Sequence, residues 1–133
     1  MIKLTKNFNK KTPSWEVILN NFNDSHVNNE LIKHSDFGFF VSHNAKNIPE
    51  VKKVLKILKL KEAHLYFNIC ISNTFGRHKD SMDVYFWQIQ GSTKWEFDSL
   101  SYILNPGDLI YVKKEIYHNV IPLGPRAGIS MSL

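Results

Sequence analysis

The chain has 133 residues, 43% of them hydrophobic and 22% charged, a length and balance that suit one globular domain and exclude a disordered chain. Its formal charge of +5 comes from fifteen lysines and only two arginines, Arg77 and Arg126. Nucleic-acid surfaces favour the bidentate arginine fork, so this charge argues against a nucleic-acid partner. No run approaches the ~20 apolar residues of a membrane-spanning helix, and the first fifteen residues lack the apolar core of a secretory signal. The expectation is therefore a cytoplasmic protein with no membrane partner. The lone Cys70 fits a reducing compartment and reads as a buried strand residue.

In chain order, Thr12-Pro13 signals a helix start, with Trp15, Ile18, Leu19 and Phe22 forming an apolar stripe. A short second helix is predicted over Val27 to Lys33, followed by a strand at 37–42. Pro49-Glu50 opens the clearest helix, in which Val51, Val54, Leu55 and Leu58 recur at helical spacing. Its lysines, Lys52, Lys53, Lys56 and Lys59, read as a solvated face rather than a phosphate site. From Ala63 the pattern turns to β-rich runs at 64–72, 84–90, 92–97, 101–104, 109–112, 116–121 and 127–132. Gly91, Asn105-Pro106-Gly107-Asp108 and Pro122-Leu123-Gly124-Pro125 punctuate them. Many short strands with evenly placed turns predict a mainly β, jelly-roll barrel. One domain over 1–133 is expected, with a helical part at about 1–62 packed on a barrel at 63–133.

The chemistry concentrates in two stretches. Within FGRHKDSMDVYFWQIQG, His78 and Asp80 lie two residues apart, which on an extended segment points both side chains to one face. Within NPGDLIYVKKEIYHNVIPL, a turn, an apolar strand and a short loop lead to His118. A His-x-Asp pair by itself is a weak signal. If His118 shares a metal with it, two imidazoles and one carboxylate make a facial triad with open coordination positions, the arrangement suited to non-haem Fe(II), whereas a structural zinc site closes its sphere.

Residues 64–133 resemble the cupin superfamily and its double-stranded β-helix. Gly107 to His118 has the spacing of the second cupin motif, with Lys113 and Glu115 where that family usually carries Pro and Gly. His78, Asp80 and Gly91 match the first, with Val84 where many cupins have a glutamate ligand. Inside the superfamily, the stretches FGRHKDSMDVYFWQIQGSTKW, PGDLIYV and YHNV are similar to Jumonji-C and cupin-like hydroxylases, with Gln88 to Gly91 and Trp95 matching. The resemblance implies His78, Asp80 and His118 as catalytic iron ligands and 2-oxoglutarate as cosubstrate.

The chain departs from that family where a lysine commonly pairs with the far carboxylate of 2-oxoglutarate. Thr93 stands there, and strand alternation turns the adjacent Lys94 to the opposite face unless a bulge intervenes. Arg126 is the better anchor. It lies eight residues after His118, and with Ser130 it resembles the Arg-x-x-x-[Ser/Thr] pattern of prolyl-hydroxylase-type oxygenases; a guanidinium binds a carboxylate through two parallel hydrogen bonds. A surface arginine beside Pro125 is the plain alternative. Tyr66, Asn68 and Thr74 either donate to a cosubstrate or simply fill the barrel. Tyr85, Trp87 and Trp95 read as core aromatics, and Asp83 as a turn cap or ligand-orienting group. His26, His34, His43 and His64 are assigned surface or capping roles, His64 being the least safe exclusion.

These readings lead to an Fe(II)- and 2-oxoglutarate-dependent dioxygenase acting on a small-molecule or peptide substrate. A metal-dependent cupin enzyme that needs no 2-oxoglutarate, and a non-catalytic metal- or ligand-binding barrel, stand as alternatives. Apolar N-terminal helices could pair two barrels into a homodimer.

Overall fold

A computed structural model describes residues 1–27, 31–33, 38–71 and 74–133. The strands are β1 (Ile2–Thr5), β2 (Leu31–Lys33), β3 (Phe39–Ser42), β4 (Glu62–Asn68), β5 (Val84–Gln90), β6 (Thr93–Glu96), β7 (Ser101–Leu104), β8 (Leu109–Val112), β9 (Asn119–Pro122) and β10 (Arg126–Ser132). The helices are α1 (Trp15–Val27) and α2 (Pro49–Leu58), the latter preceded by a 3-10 turn at Ala45–Asn47. All pairings are antiparallel, in a seven-stranded sheet ordered β1-β8-β5-β10-β4-β3-β2 and a three-stranded sheet ordered β7-β6-β9. The protein is therefore mainly β, as the strand spacing implied.

Strand alternation builds two apolar layers. Along β5, Trp87 and Ile89 face α1 and α2, joining Ile18, Val51, Val54, Leu65, Phe67 and Ile129. Phe86 faces the other way, toward Trp95, Leu104, Ile110 and Val112 between the two sheets. α2 forms as its stripe requires, with Pro49 in the first turn, where no intrahelical donor is needed. Lys59 ends it in the left-handed region, and the Leu60 N–H donates to the Leu55 carbonyl at 2.9 Å. α1 starts two residues after Pro13 because Ser14 caps it, its Oγ accepting from the Val17 N–H at 3.2 Å. Leu19 is on the exposed side of α1 rather than in the stripe.

Three expectations need correction. Leu31–Lys33 is a strand paired with β3, not part of a helix, while 28–30 lie outside the described residues. With β1 and β3 also extended, the first third of the chain supplies three strands of the main sheet besides its helices. β4 stops at Asn68, so Cys70 lies beyond the strand and is partly exposed; residue 72 is outside the described residues. β1 escaped notice because four residues are too short for a periodicity signal; it is ordered by pairing with β8, Ile2 opposite Val112 and Leu4 opposite Ile110.

Candidate metal centre

The segment before β5 and the loop before β9 are joined by an isolated antiparallel bridge between His78 and His118. Each backbone N–H donates to the other's carbonyl, at 2.9 and 2.8 Å. The Glu115 N–H donates to the Asp80 carbonyl at 2.8 Å, and the Lys114 N–H to the Asp83 carboxylate at 2.9 Å. Asp83 thus caps the loop that carries His118, and this backbone bond holds its carboxyl below the usual range. Regular strand begins only at Val84, so His78 and Asp80 share a face through this bridged extended segment rather than through β5 itself.

The side chains of His78, Asp80 and His118 converge, with one donor atom of each lying within 4.8 Å of the others. Asp80 Oδ2 is 3.4 Å from His118 Nε2, and Asp80 Oδ1 is 3.9 Å from His78 Nε2. His118 is almost fully buried at 3% side-chain exposure, while His78 and Asp80 reach the cavity mouth at 30% and 36%. Both Nδ1 atoms face backbone carbonyls, His78 that of Gly76 at 2.8 Å and His118 that of Ile116 at 2.9 Å. A carbonyl only accepts, so each Nδ1 carries a proton and each Nε2 is directed at the shared centre. Two imidazole nitrogens and a carboxylate facing one point form a donor set that can hold a metal ion. The hydrogen bond from His118 holds the Asp80 carboxyl below the usual range despite burial. A divalent metal fits the same donors. His78 and His118 would hold it through Nε2, and Asp80 through its carboxylate.

The triad opens into a small cavity of about 40 Å³. Trp95 stacks on His118 with centroids 5.4 Å apart and planes at 20°. Phe75 packs edge-on to Phe39 and Tyr66 at 5.2 and 5.7 Å and lies 5.8 Å from the His78 ring. Arg126 and Ser130 line the same cavity, with Tyr66 and Thr74. Arg126 is 1% exposed, and its Nε donates to Asn68 Oδ1 at 2.6 Å. Its Nη1 has no hydrogen-bond partner, and no ion pair of Arg126 is found among the described residues. Burial pushes its pKa down to about 9, so it still carries its charge at neutral pH. Burial also pushes the Tyr66 hydroxyl up, with Asp80 adding to the effect, so Tyr66 stays a neutral donor.

Of the expected cosubstrate contacts, Arg126, Ser130, Tyr66 and Thr74 reach the cavity. Asn68 acts behind it, holding Arg126, and the Thr74 hydroxyl donates to the Val120 carbonyl at 2.7 Å. Thr93 and Lys94 do not line it. Buried Thr93 donates to Gln88 Oε1 at 2.9 Å, and Lys94 pairs with Glu96 at 3.4 Å on the outer face of β6. No bulge interrupts β6, so strand parity decides against Lys94. Sequence reasoning missed Phe39 and Phe75 as walls; their place depends on β3 lying beside β4, which no local pattern announces. No helix among the described residues is long and apolar enough to cross a membrane.

No family model matches the sequence, and no curated protein matches it. Solved structures do. The ribosomal oxygenase YcfD from Escherichia coli, in complex with cobalt and 2-oxoglutarate, aligns at TM-score 0.73 and 15% identity over 98% of this chain and 47% of that one. The same oxygenase with cobalt and succinic acid aligns at 0.62 and 16% over 71% of this chain and 31% of that one. This chain therefore spans about half or less of those structures. A cupin superfamily protein from Desulfitobacterium hafniense aligns at 0.59 and 15% over 96% and 95% of the two chains. An RmlC-like cupin from Shewanella frigidimarina aligns at 0.53 and 12% over 71% and 74%. These likenesses show that the chain has the fold of the cupin superfamily.

Proposed function

We propose that this protein is an Fe(II)- and 2-oxoglutarate-dependent oxygenase, with His78, Asp80 and His118 as the metal ligands and Arg126 as the anchor of the keto acid's far carboxylate. The observation that carries the reading is the pairing, in one cavity, of a three-donor centre with a buried guanidinium that has no acidic partner among the described residues. A buried cation is costly unless paired, and a dicarboxylate reaching from the metal to Arg126 relieves that cost through a two-pronged hydrogen bond. The oxygenase neighbours that hold cobalt with 2-oxoglutarate or succinic acid support the same ligand chemistry.

Iron would supply the redox chemistry with dioxygen as the oxidant: the keto acid would give two electrons and leave as carbon dioxide and succinate, which takes one oxygen atom, and the other would enter a substrate C–H bond. The chain's own residues bind, orient and exclude water. The Nδ1 contacts to Gly76 and Ile116 fix the ring orientations. Arg126, supported by Asn68, sets the depth of the keto acid, with Ser130 and Tyr66 donating beside it. Phe39, Phe75 and Trp95 keep the walls apolar, which strengthens each polar contact inside. The substrate, a small molecule or a peptide, approaches at the exposed side of His78 and Asp80.

Anaerobic Fe(II) and 2-oxoglutarate are expected to give a visible metal-to-ligand charge-transfer band, abolished in Asp80→Asn and weakened in Arg126→Met. Absence of the band, with no keto-acid-dependent thermal shift, removes this reading. The exclusion of Lys94 from the cavity favours one alternative, a metal-dependent cupin that takes its small substrate directly on the metal. Metal-dependent turnover without 2-oxoglutarate identifies it.

A further inference from the structure

A second pair of imidazoles sits on the face of the seven-stranded sheet that carries the cavity residues Tyr66 and Ser130. β3 and β4 are in register with Val41 opposite Tyr66 and Ser42 opposite Leu65, which brings His43, just past β3, beside His64. Tyr66 lines the cavity, and a step of two along β4 puts His64 on the same face. The partner of His64 on β10 is Ser130, itself a cavity residue. The two rings cross edge-on, with centroids 4.6 Å apart and planes at 86°. Their Nδ1 atoms are 2.7 Å apart. At that separation one proton lies between the nitrogens, one ring donating and the other accepting. His43 is exposed and His64 intermediate, so both are open to solutes.

We infer that His43 and His64 form a second metal site, independent of the triad, that takes a borderline divalent ion such as Zn(II), Ni(II) or Cu(II) through both Nδ1 atoms. The ion takes the place of the shared proton, and water fills the remaining positions. Imidazole is a ligand these ions favour, and a pair with no carboxylate does not select for Mg(II) or Ca(II). Bonds of about 2.0–2.1 Å require the two nitrogens to part to roughly 3 Å, a change that side-chain torsions at an exposed rim can supply. Burial, His43 and Lys46 lower the proton affinity of His64 against the pull of Glu62, which favours the neutral ring a metal needs. The two centres differ in donor atom. The triad presents Nε2 with Nδ1 blocked by carbonyls, whereas the rim pair presents Nδ1.

That difference makes the test specific. Equilibrium dialysis of the full chain against Zn(II) is expected to find two equivalents in the parent, and one in His43→Ala or His64→Gln. One equivalent should survive in the double variant His78→Ala/Asp80→Ala. In protein labelled with 15N-histidine, Zn(II) should move the Nδ1 resonances of His43 and His64, and the Nε2 resonances of His78 and His118. The inference is overturned if His43→Ala and His64→Gln bind as much Zn(II) as the parent, or if the His43 and His64 Nδ1 signals do not respond. If the parent binds one equivalent and His43→Ala abolishes it, the rim pair stands and the triad reading falls.

Discussion

Replacing Arg126 by Met removes a buried charge while keeping most of the side chain's length. Burial lowers this guanidinium's pKa to about 9, which at 1.36 kcal/mol per pH unit amounts to roughly 5 kcal/mol against the charged form in the fold. Because the folded value lies below the unfolded one, this penalty is complete below about pH 9 and fades only as the pH rises beyond it. At pH 7 it is fully present. The substitution also loses the bond to Asn68, a charge-assisted contact worth about 1.5–3 kcal/mol. The net expectation is a gain of about 2 kcal/mol in the metal- and ligand-free protein, read as a rise of several degrees in melting temperature. The parent, unlike the variant, should gain about 2.7 kcal/mol when 2-oxoglutarate is present at a hundred times its Kd with Mn(II). Urea unfolding and thermal melts with and without the keto acid measure both effects. A variant that melts below the parent, or that keeps the full keto-acid response, would refute the idea that this guanidinium is retained for an anionic ligand at the expense of stability.

Asp80→Asn keeps the shape of the side chain and removes its charge; metal affinity should fall at least about tenfold, and calorimetry showing parental affinity would contradict the triad. Lys94→Ala should leave metal and keto-acid binding unchanged, since Lys94 pairs with Glu96 outside the cavity; a loss of keto-acid response would return Lys94 to the site. Gly91→Ala places a methyl 2.1 Å from the Pro125 carbonyl and 2.9 Å from the Arg126 Cα at a φ of +63°. Backbone cannot yield there, so a loss of about 3 kcal/mol or more is expected in urea, together with a weaker keto-acid response because Arg126 is displaced. Burial pushes the Asp108 carboxyl up, but Lys6 and the N–H groups of Asn105 and Asn7 outweigh it and hold it low. Its stabilisation is therefore present above the ordinary carboxylate value and is lost as pH falls through the lower folded one. Asp108→Asn should destabilise at pH 7 by about 2 kcal/mol and flatten the acid limb of the stability profile; an unchanged limb would assign the acid sensitivity elsewhere.

Local sequence determined what depends on period and turn chemistry. The boundaries of β5, β7 and β8 follow from alternation between glycine- and proline-bearing turns, and α2 from its stripe and Pro49. The shared face of His78 and Asp80 follows from their spacing of two, and the exclusion of Lys94 from its parity with Thr93. Tertiary structure alone decided what depends on distant neighbours. Leu31–Lys33 is too short to declare itself and is extended because β3 lies beside it; β1 is held in the same way by β8. Whether Arg126 is a surface cation or a buried one turns on the strands around it, since a guanidinium beside Pro125 looks the same in either setting until Asn68, Phe39 and Phe86 close over it. The meeting of His43 with His64 is likewise a matter of register between strands. Side-chain direction is a property of a few adjacent residues, whereas burial and the approach of one polar group to another are properties of segments brought together only when the sheet is complete.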